Sequence, residues 1–500
     1  AYPSLASASA GPRAVPSDWG IYPDTLNIEP RTFGFLERVL GEVIRLFPGP
    51  YVHIGGDEVG HAQWAASRSV RERARALAIA DPGGIQAYFM QRIARFLLAH
   101  GRRPVGWNEM LSAGLPRRAV IMSWHGAAGV RAALRAGHDV VLATWPRLYL
   151  DNRQSGSVRE PPGRGRVVTL EELYRYQPIP AGLPRAERAH LLGVQGNLWT
   201  EYIRTSSQLE RMALPRAAAI AEIGWSMPAR RRWRDFLRRL PHLERRYRAL
   251  GLRYSPATWR VRARATYDYR AATALVQLAT QAHYGRIRYT LAGYAPQAGS
   301  APYREPLVLR LPVTLRAADF AGRRRIGPVR TWHLSLATAQ RRMSQQLALC
   351  SERLPLSIED TAPRRGARAK FLVDIENPCW TYRAADFDET RSLRVAVGRV
   401  PFNFQIGADR AKIHLLAPRT PSGELVIRLD GCRGALLARL SLAPALAARG
   451  VTVLPAAPVP RTVRGIHDLC LRFAQHGLDP LWTIDWISLD QAAAPPAGPR

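Results

Sequence analysis

The 500-residue sequence predicts an α/β fold of parallel βαβ units that continues into β-sandwich-like C-terminal modules. Three observations carry this expectation. Over the first ~245 residues, short apolar runs alternate with helix-length patterns, the texture of parallel βαβ units. Polar and aromatic residues gather where those runs end, as they do on the reactive face of a parallel barrel. From about residue 255 the pattern changes to alternating segments that turn at Gly and Pro, as small β domains do.

The strand candidates, in order, are YVHIGG (51–56), RPVGWNE (103–109), VIMSWHG (120–126), DVVLAT (139–144) and LLGVQGNLW (191–199). Helical patterns at 84–100 and 127–137 separate them. The first strand ends in HIGGDE, where two glycines precede the neighbouring acids Asp57 and Glu58. Along a regular strand these two acids would point to opposite faces. Gly55 and Gly56 relax that alternation, because glycine takes backbone angles other residues avoid and lets a ligand approach closely. Both acids can then face one crevice beyond the strand end. His53 is expected inside the strand as a neighbour of Asp57. A metal shared by His53 and Asp57 is not expected, since four strand residues span ~13 Å.

Composition bounds the rest. An apolar fraction of 47% is ample for real cores, and the length suits two or three domains. The formal charge of +33 is almost all arginine, Lys370 and Lys412 being the only lysines. It is spread along the whole chain, whereas nucleic-acid binders concentrate charge on one face or tail, so no nucleic-acid partner is expected. Cys350, Cys379, Cys432 and Cys470 all fall in the last third, without the close spacing of a zinc site. Disulfides or buried thiols are the choices, and four cysteines allow three connectivities. An even number in one domain leans towards an oxidising compartment. No apolar stretch is long enough to span a bilayer. Trp482 and Trp486 alternate on an expected strand and read as core.

HIGGDE, GWNE, MSWHG, YLD (149–151) and NLWTE (197–201), in this order, resemble glycoside hydrolase family 20, the β-N-acetylhexosaminidases. LPRAAAIAEIGWS at 214–226 is similar to the helix after the last barrel strand of that family. The resemblance implies that residues 1–250 form strands four to eight of a (β/α)8 TIM barrel, with no counterpart of the N-terminal domain or the first barrel strands. It implies a small β domain at 251–345, similar to the hexosaminidase/chitobiase C-terminal domain. A weaker likeness at 346–492 implies a β-rich, carbohydrate-binding module, before a disordered tail at 493–500.

Function follows from the resemblance as an expectation. Most glycosidases use two separated carboxylates, but this family is substrate-assisted. The sugar's 2-acetamido oxygen attacks the anomeric carbon, Glu58 serves as general acid and then base, and Asp57 orients the acetamido group. Trp107, Trp124 and Trp199 match pocket tryptophans, Tyr149 matches the hydroxyl that positions the acetamido oxygen, and Asp151 and Glu201 match acceptors for sugar hydroxyls. Trp145 lines an outer subsite in this reading. The expected substrate is an oligosaccharide or glycoconjugate ending in N-acetylhexosamine, handled without metal or cofactor, in a periplasmic or secreted setting. The alternative is a truncated, inactive fragment that keeps only carbohydrate-binding β modules. A barrel closes only with all its strands, so the chain as given is expected to show little activity of its own.

Overall fold

The computed structural model describes residues 2–8, 15, 16, 18–362 and 368–491; the tail at 493–500 lies outside the described residues. A short strand near the start, β1 (Trp19–Ile21), pairs far away in sequence, as set out below. The parallel sheet begins with β2 (Tyr51–His53), followed by β3 (Arg103–Trp107), β4 (Val120–Ser123) and β5 (Asp139–Leu142). Two further short strands, β6 (Asn152–Arg153) and β7 (Gly163–Val167), leave this sheet before β8 (Leu191–Val194) completes it. The order is β2-β3-β4-β5-β8, parallel throughout. All five expected strands are present and shorter than the apolar runs, because each run continues into the polar turn that follows it.

Burial on both faces explains why β4 is apolar at three consecutive positions, Val120, Ile121 and Met122. Helices Pro82–Ala99 and Ala127–Arg135 supply the covering layer. The first has Pro82 in its opening turn, and the Asp81 carboxylate accepts from Gly84 N at 2.8 Å, which satisfies one of the free amides at the helix start. Met90, Ala94, Met110, Ile121, Val130, Leu134, Val140 and Leu142 form the core between these layers. β2 and β8 are the edge strands of this sheet, with Tyr51 and Leu192 exposed on them. Among the described residues no helix is long and apolar enough to cross a membrane.

Residues 262–334 fold into two small antiparallel sheets over a core that includes Val276, Leu278, Leu315 and Leu334. The C-terminal part packs two larger five-stranded sheets face to face around Trp380, Val395, Val397, Leu425, Ile427, Leu471 and Ile484. Trp482 joins that core, whereas Trp486 is half-buried beneath the Arg341 guanidinium, 4.0 Å from its ring. The pairing of Thr390–Val400 with Leu481–Gln491 skips Asp485, and this bulge breaks the alternation the sequence implied. Disulfides join Cys350 to Cys379 and Cys432 to Cys470.

The C-terminal sandwich is not hung on a linker. Its strand Pro355–Glu359 pairs antiparallel with β7, giving a four-stranded sheet of Lys370–Asp374, Pro355–Glu359, β7 and β6. β1 pairs in parallel with Phe404–Ile406. Trp19 packs edge-on against both Phe404 and Tyr202, at 4.5 and 5.1 Å between ring centres. Sheet hydrogen bonds therefore cross both the change of texture near residue 255 and the expected domain boundary at 345/346.

Candidate active site

The HIGGDE turn is fixed by its glycines. Gly55 and Gly56 have φ of 74° and 101°, in the region that favours glycine. A Cβ on Gly56 would strike Met110 Cγ, and one on Gly106 would lie 2.8 Å from the Gly55 carbonyl, so both glycines let β2, β3 and Met110 come together. The turn's backbone groups are also satisfied. Trp107 N donates to Gly55 O at 3.0 Å, Gln86 Nε2 donates to Gly56 O at 2.9 Å, and Gly55 N donates to His53 Nδ1 at 3.1 Å. Glu58 itself adopts φ of 50°, a left-handed conformation that costs a non-glycine residue about 1–3 kcal/mol. Such strain persists only where surrounding structure holds it, which is common at functional positions.

Electrostatics then distinguish Glu58. Although Glu58 is exposed, partial loss of water around its carboxyl raises its pKa above the ordinary glutamate value, and the neighbouring Asp57 charge raises it further. Arg164 opposes the rise, while Glu109 and Glu201 add to it. His53, exposed on the edge strand below the turn, is shifted the other way: partial loss of water lowers its pKa against the pull of Asp57, favouring the neutral imidazole.

The aromatic residues form a continuous chain of ring contacts. His53 meets Trp107 at 5.0 Å, Trp107 meets Trp199 at 6.1 Å, Trp199 meets Tyr149 at 6.3 Å, and Tyr149 meets Trp145 edge-on at 5.3 Å. A single parallel bridge between Tyr149 and Asn197 brings the last three together. Leu150 N donates to Asn197 O at 2.6 Å and Asn197 N donates to Leu148 O at 2.7 Å. Burial pushes the Tyr149 hydroxyl up to about 12, so it is a proton donor at any ordinary pH. Trp124 joins from β4, its Nε1 donating to Glu109 Oε2 at 3.3 Å.

Glu201 is exposed and lies within electrostatic reach of Glu58 and Asp151. It also lines a cavity of about 240 Å³ shared with Trp19, Tyr202, Arg204, Glu359 and Phe404. Asp151 departs from expectation. Its side chain is fully buried, Oδ2 accepts from Arg164 Nε at 2.7 Å, and Oδ1 is buried without a partner. The acid expected to accept sugar hydroxyls is thus covered, and a cation stands beside it.

The structure gathers all the expected residues into one neighbourhood and adds four others. Asn108, whose Oδ1 accepts from Trp124 N at 2.7 Å, orients the β4 end, and His125 lies 3.8 Å from Glu109. The GWNE and MSWHG motifs carried a signal for Asn108, Glu109 and His125. Arg164 carried none, being one of many arginines in a loop without an apolar pattern.

Residues 1–228 match the model of the glycosyl hydrolase family 20 catalytic domain. This segment belongs to glycoside hydrolase family 20. The chain is 34% identical over 335 residues to a β-hexosaminidase of Porphyromonas gingivalis, covering 66% of this chain and 43% of that one. It is 33% identical over 199 residues to a β-hexosaminidase of Vibrio furnissii, covering 39% and 32% respectively. The chain thus spans less than half the length of these curated relatives. A crystal structure of a family 20 exo-β-N-acetylglucosaminidase from Vibrio harveyi, in complex with N-acetylglucosamine, superposes with a TM-score of 0.42 at 33% identity. That superposition covers 45% of this chain and 36% of the other.

Proposed function

We propose that this family 20 chain serves the hydrolysis of terminal β-linked N-acetylhexosamine from oligosaccharides or glycoconjugates by an exo-acting, substrate-assisted, retaining route. The 2-acetamido oxygen attacks the anomeric carbon while Glu58 protonates the departing glycosidic oxygen. Asp57 accepts the acetamido N–H and balances the positive charge of the oxazolinium intermediate. Glu58, now a carboxylate, takes a proton from the water that reopens the ring. Tyr149 O–H donates to the acetamido oxygen, and Trp107, Trp124 and Trp199 form the apolar wall for its methyl group and the sugar face. Trp145 serves an outer subsite, Glu201 accepts from a sugar hydroxyl, and His53 supports Asp57 from the strand below.

The observation that carries this reading is the pair Asp57–Glu58 on a glycine turn beside the ring cluster, with Glu58 biased towards its protonated form. One acid of raised pKa with a carboxylate next to it in sequence suits two reacting points on a single sugar. The parallel sheet is read here as strands four to eight of a (β/α)8 barrel. The two disulfides support a periplasmic or secreted location. The test, with the first three βα units of the barrel read here supplied, is release of free N-acetylglucosamine or N-acetylgalactosamine from the non-reducing end of defined oligosaccharides, followed by chromatography. Stepwise release of single residues is expected; internal cleavage, or release of sugars lacking the acetamido group at equal rate, would reject the reading.

A further inference from the structure

We propose that Arg164, rather than Asp151, is the residue that meets the sugar at this end of the site, and that Asp151 is its positioning partner. The inference rests on the sugar-binding reading above. Asp151 is enclosed, with one oxygen held by Arg164 Nε and the other out of reach of solvent. The Arg164 side chain keeps a quarter of its surface exposed. Its terminal nitrogens have no hydrogen bond to the described residues beyond the Nε contact. Its guanidinium carbon lies 5.3 Å from the centre of the Trp145 ring and 5.8 Å from that of Tyr149, the two aromatics at the same edge of the cluster. Glu58, Asp151 and Glu201 all feel its charge, making it a shared cation among the acids of the site.

Its placement is over-determined. Arg164 N donates to Asp151 O at 2.9 Å, and the residue pairs with Asn152 on one side and Leu356 on the other. The flanking glycines permit this double pairing. A Cβ on Gly163 would lie 2.5 Å from the Asp151 carbonyl oxygen, and one on Gly165 would lie 2.6 Å from the Pro355 carbonyl carbon. A guanidinium offers donors only, arranged as a rigid fork. The ligand group it recognises is therefore the oxygen lone pairs of a sugar hydroxyl. The same position filled by a free carboxylate would instead recognise the hydroxyl hydrogen.

The test is calorimetric titration of the full chain with N-acetylglucosamine and with its 4-deoxy and 6-deoxy analogues. Arg164→Gln and Arg164→Lys are compared with the parent, circular dichroism and melting temperature being recorded for each. A hydrogen bond from a charged donor predicts that Arg164→Gln weakens N-acetylglucosamine on the order of 10- to 100-fold. It also predicts that one deoxy analogue, discriminated against by the parent, binds this variant as well as the intact sugar does. Arg164→Lys should keep the fold and restore part of the affinity. A folded Arg164→Gln chain with parental affinity and parental discrimination would overturn the inference alone. A parent that binds no N-acetylhexosamine would overturn the preceding reading and this inference with it.

Discussion

The turn at Gly55–Glu58 and the strand at Gly163–Val167 both bring charge to one site, but they are held there by different means. The turn is specified locally: two glycines at positive φ, carbonyls that accept from β3 and from the helix behind it, and a methionine filling the space a Cβ would need. The strand is specified from afar, because its outer neighbour is Pro355–Glu359, some 190 residues later in the chain. Lys370 Nζ reaches the same region, donating to Glu160 O at 2.6 Å. The lesson is that the acids belong to the parallel sheet, whereas the cation among them depends on the C-terminal sandwich.

The largest effect should come from the turn. On the proposed mechanism Glu58→Gln removes the proton donor, and general acid catalysis is worth ~10²–10⁴-fold. Steady-state kinetics should show that loss on chitobiose and a much smaller one on a nitrophenyl glycoside, whose leaving group needs no proton. An equal loss on both substrates would reassign Glu58 to a structural role.

The strand should fail more gradually. Leu356, fully buried beside Arg164, loses about 2–5 kcal/mol of stability on truncation to alanine. Thermal unfolding should report that loss, and the folded variant should bind N-acetylglucosamine more weakly although no site residue has changed. Full sugar affinity in a destabilised Leu356→Ala chain would separate the sandwich from the site.

The smallest effect is a displacement of the pH profile, and its sign separates the two regions. On the proposed mechanism activity should fall on the alkaline side as Glu58 loses its proton, so that limb should follow the Glu58 pKa. Asp57→Asn removes a charge that raises this pKa, and the limb on chitobiose should move to lower pH. Arg164→Gln removes a charge that lowers it, and the limb should move to higher pH. Shifts in the same direction would show that the two residues act on Glu58 through packing rather than charge.

How legible each region was follows from the same distinction. The five parallel strands and their helices could be read because burial on both faces demands apolar runs, and strand-end motifs mark where they stop. His53, Asp57, Glu58, Trp107 and Trp124 are therefore visible in the sequence, and Tyr149, Trp199 and Glu201 are visible through the family-like motifs YLD and NLWTE. The burial of Asp151 was not visible, because the group that covers it lies 13 residues onward in PPGRGRV and sits there only by pairing with Leu356. No local pattern encodes a partner so distant. Trp486 was misread for a related reason, since a one-residue bulge at Asp485 reverses the alternation on which its placement depended.

On the proposed mechanism Asp57 serves the acetamido group of a bound sugar rather than the packing of the turn. Binding of a stable thiazoline analogue of the oxazolinium intermediate tests it most directly. Transition-state and intermediate analogues exceed substrates in affinity by ~10²-fold or more. The analogue should bind the parent that much more tightly than N-acetylglucosamine, and Asp57→Asn should lose most of this advantage while keeping its melting temperature. An analogue that binds parent and Asp57→Asn equally well would contradict the claim.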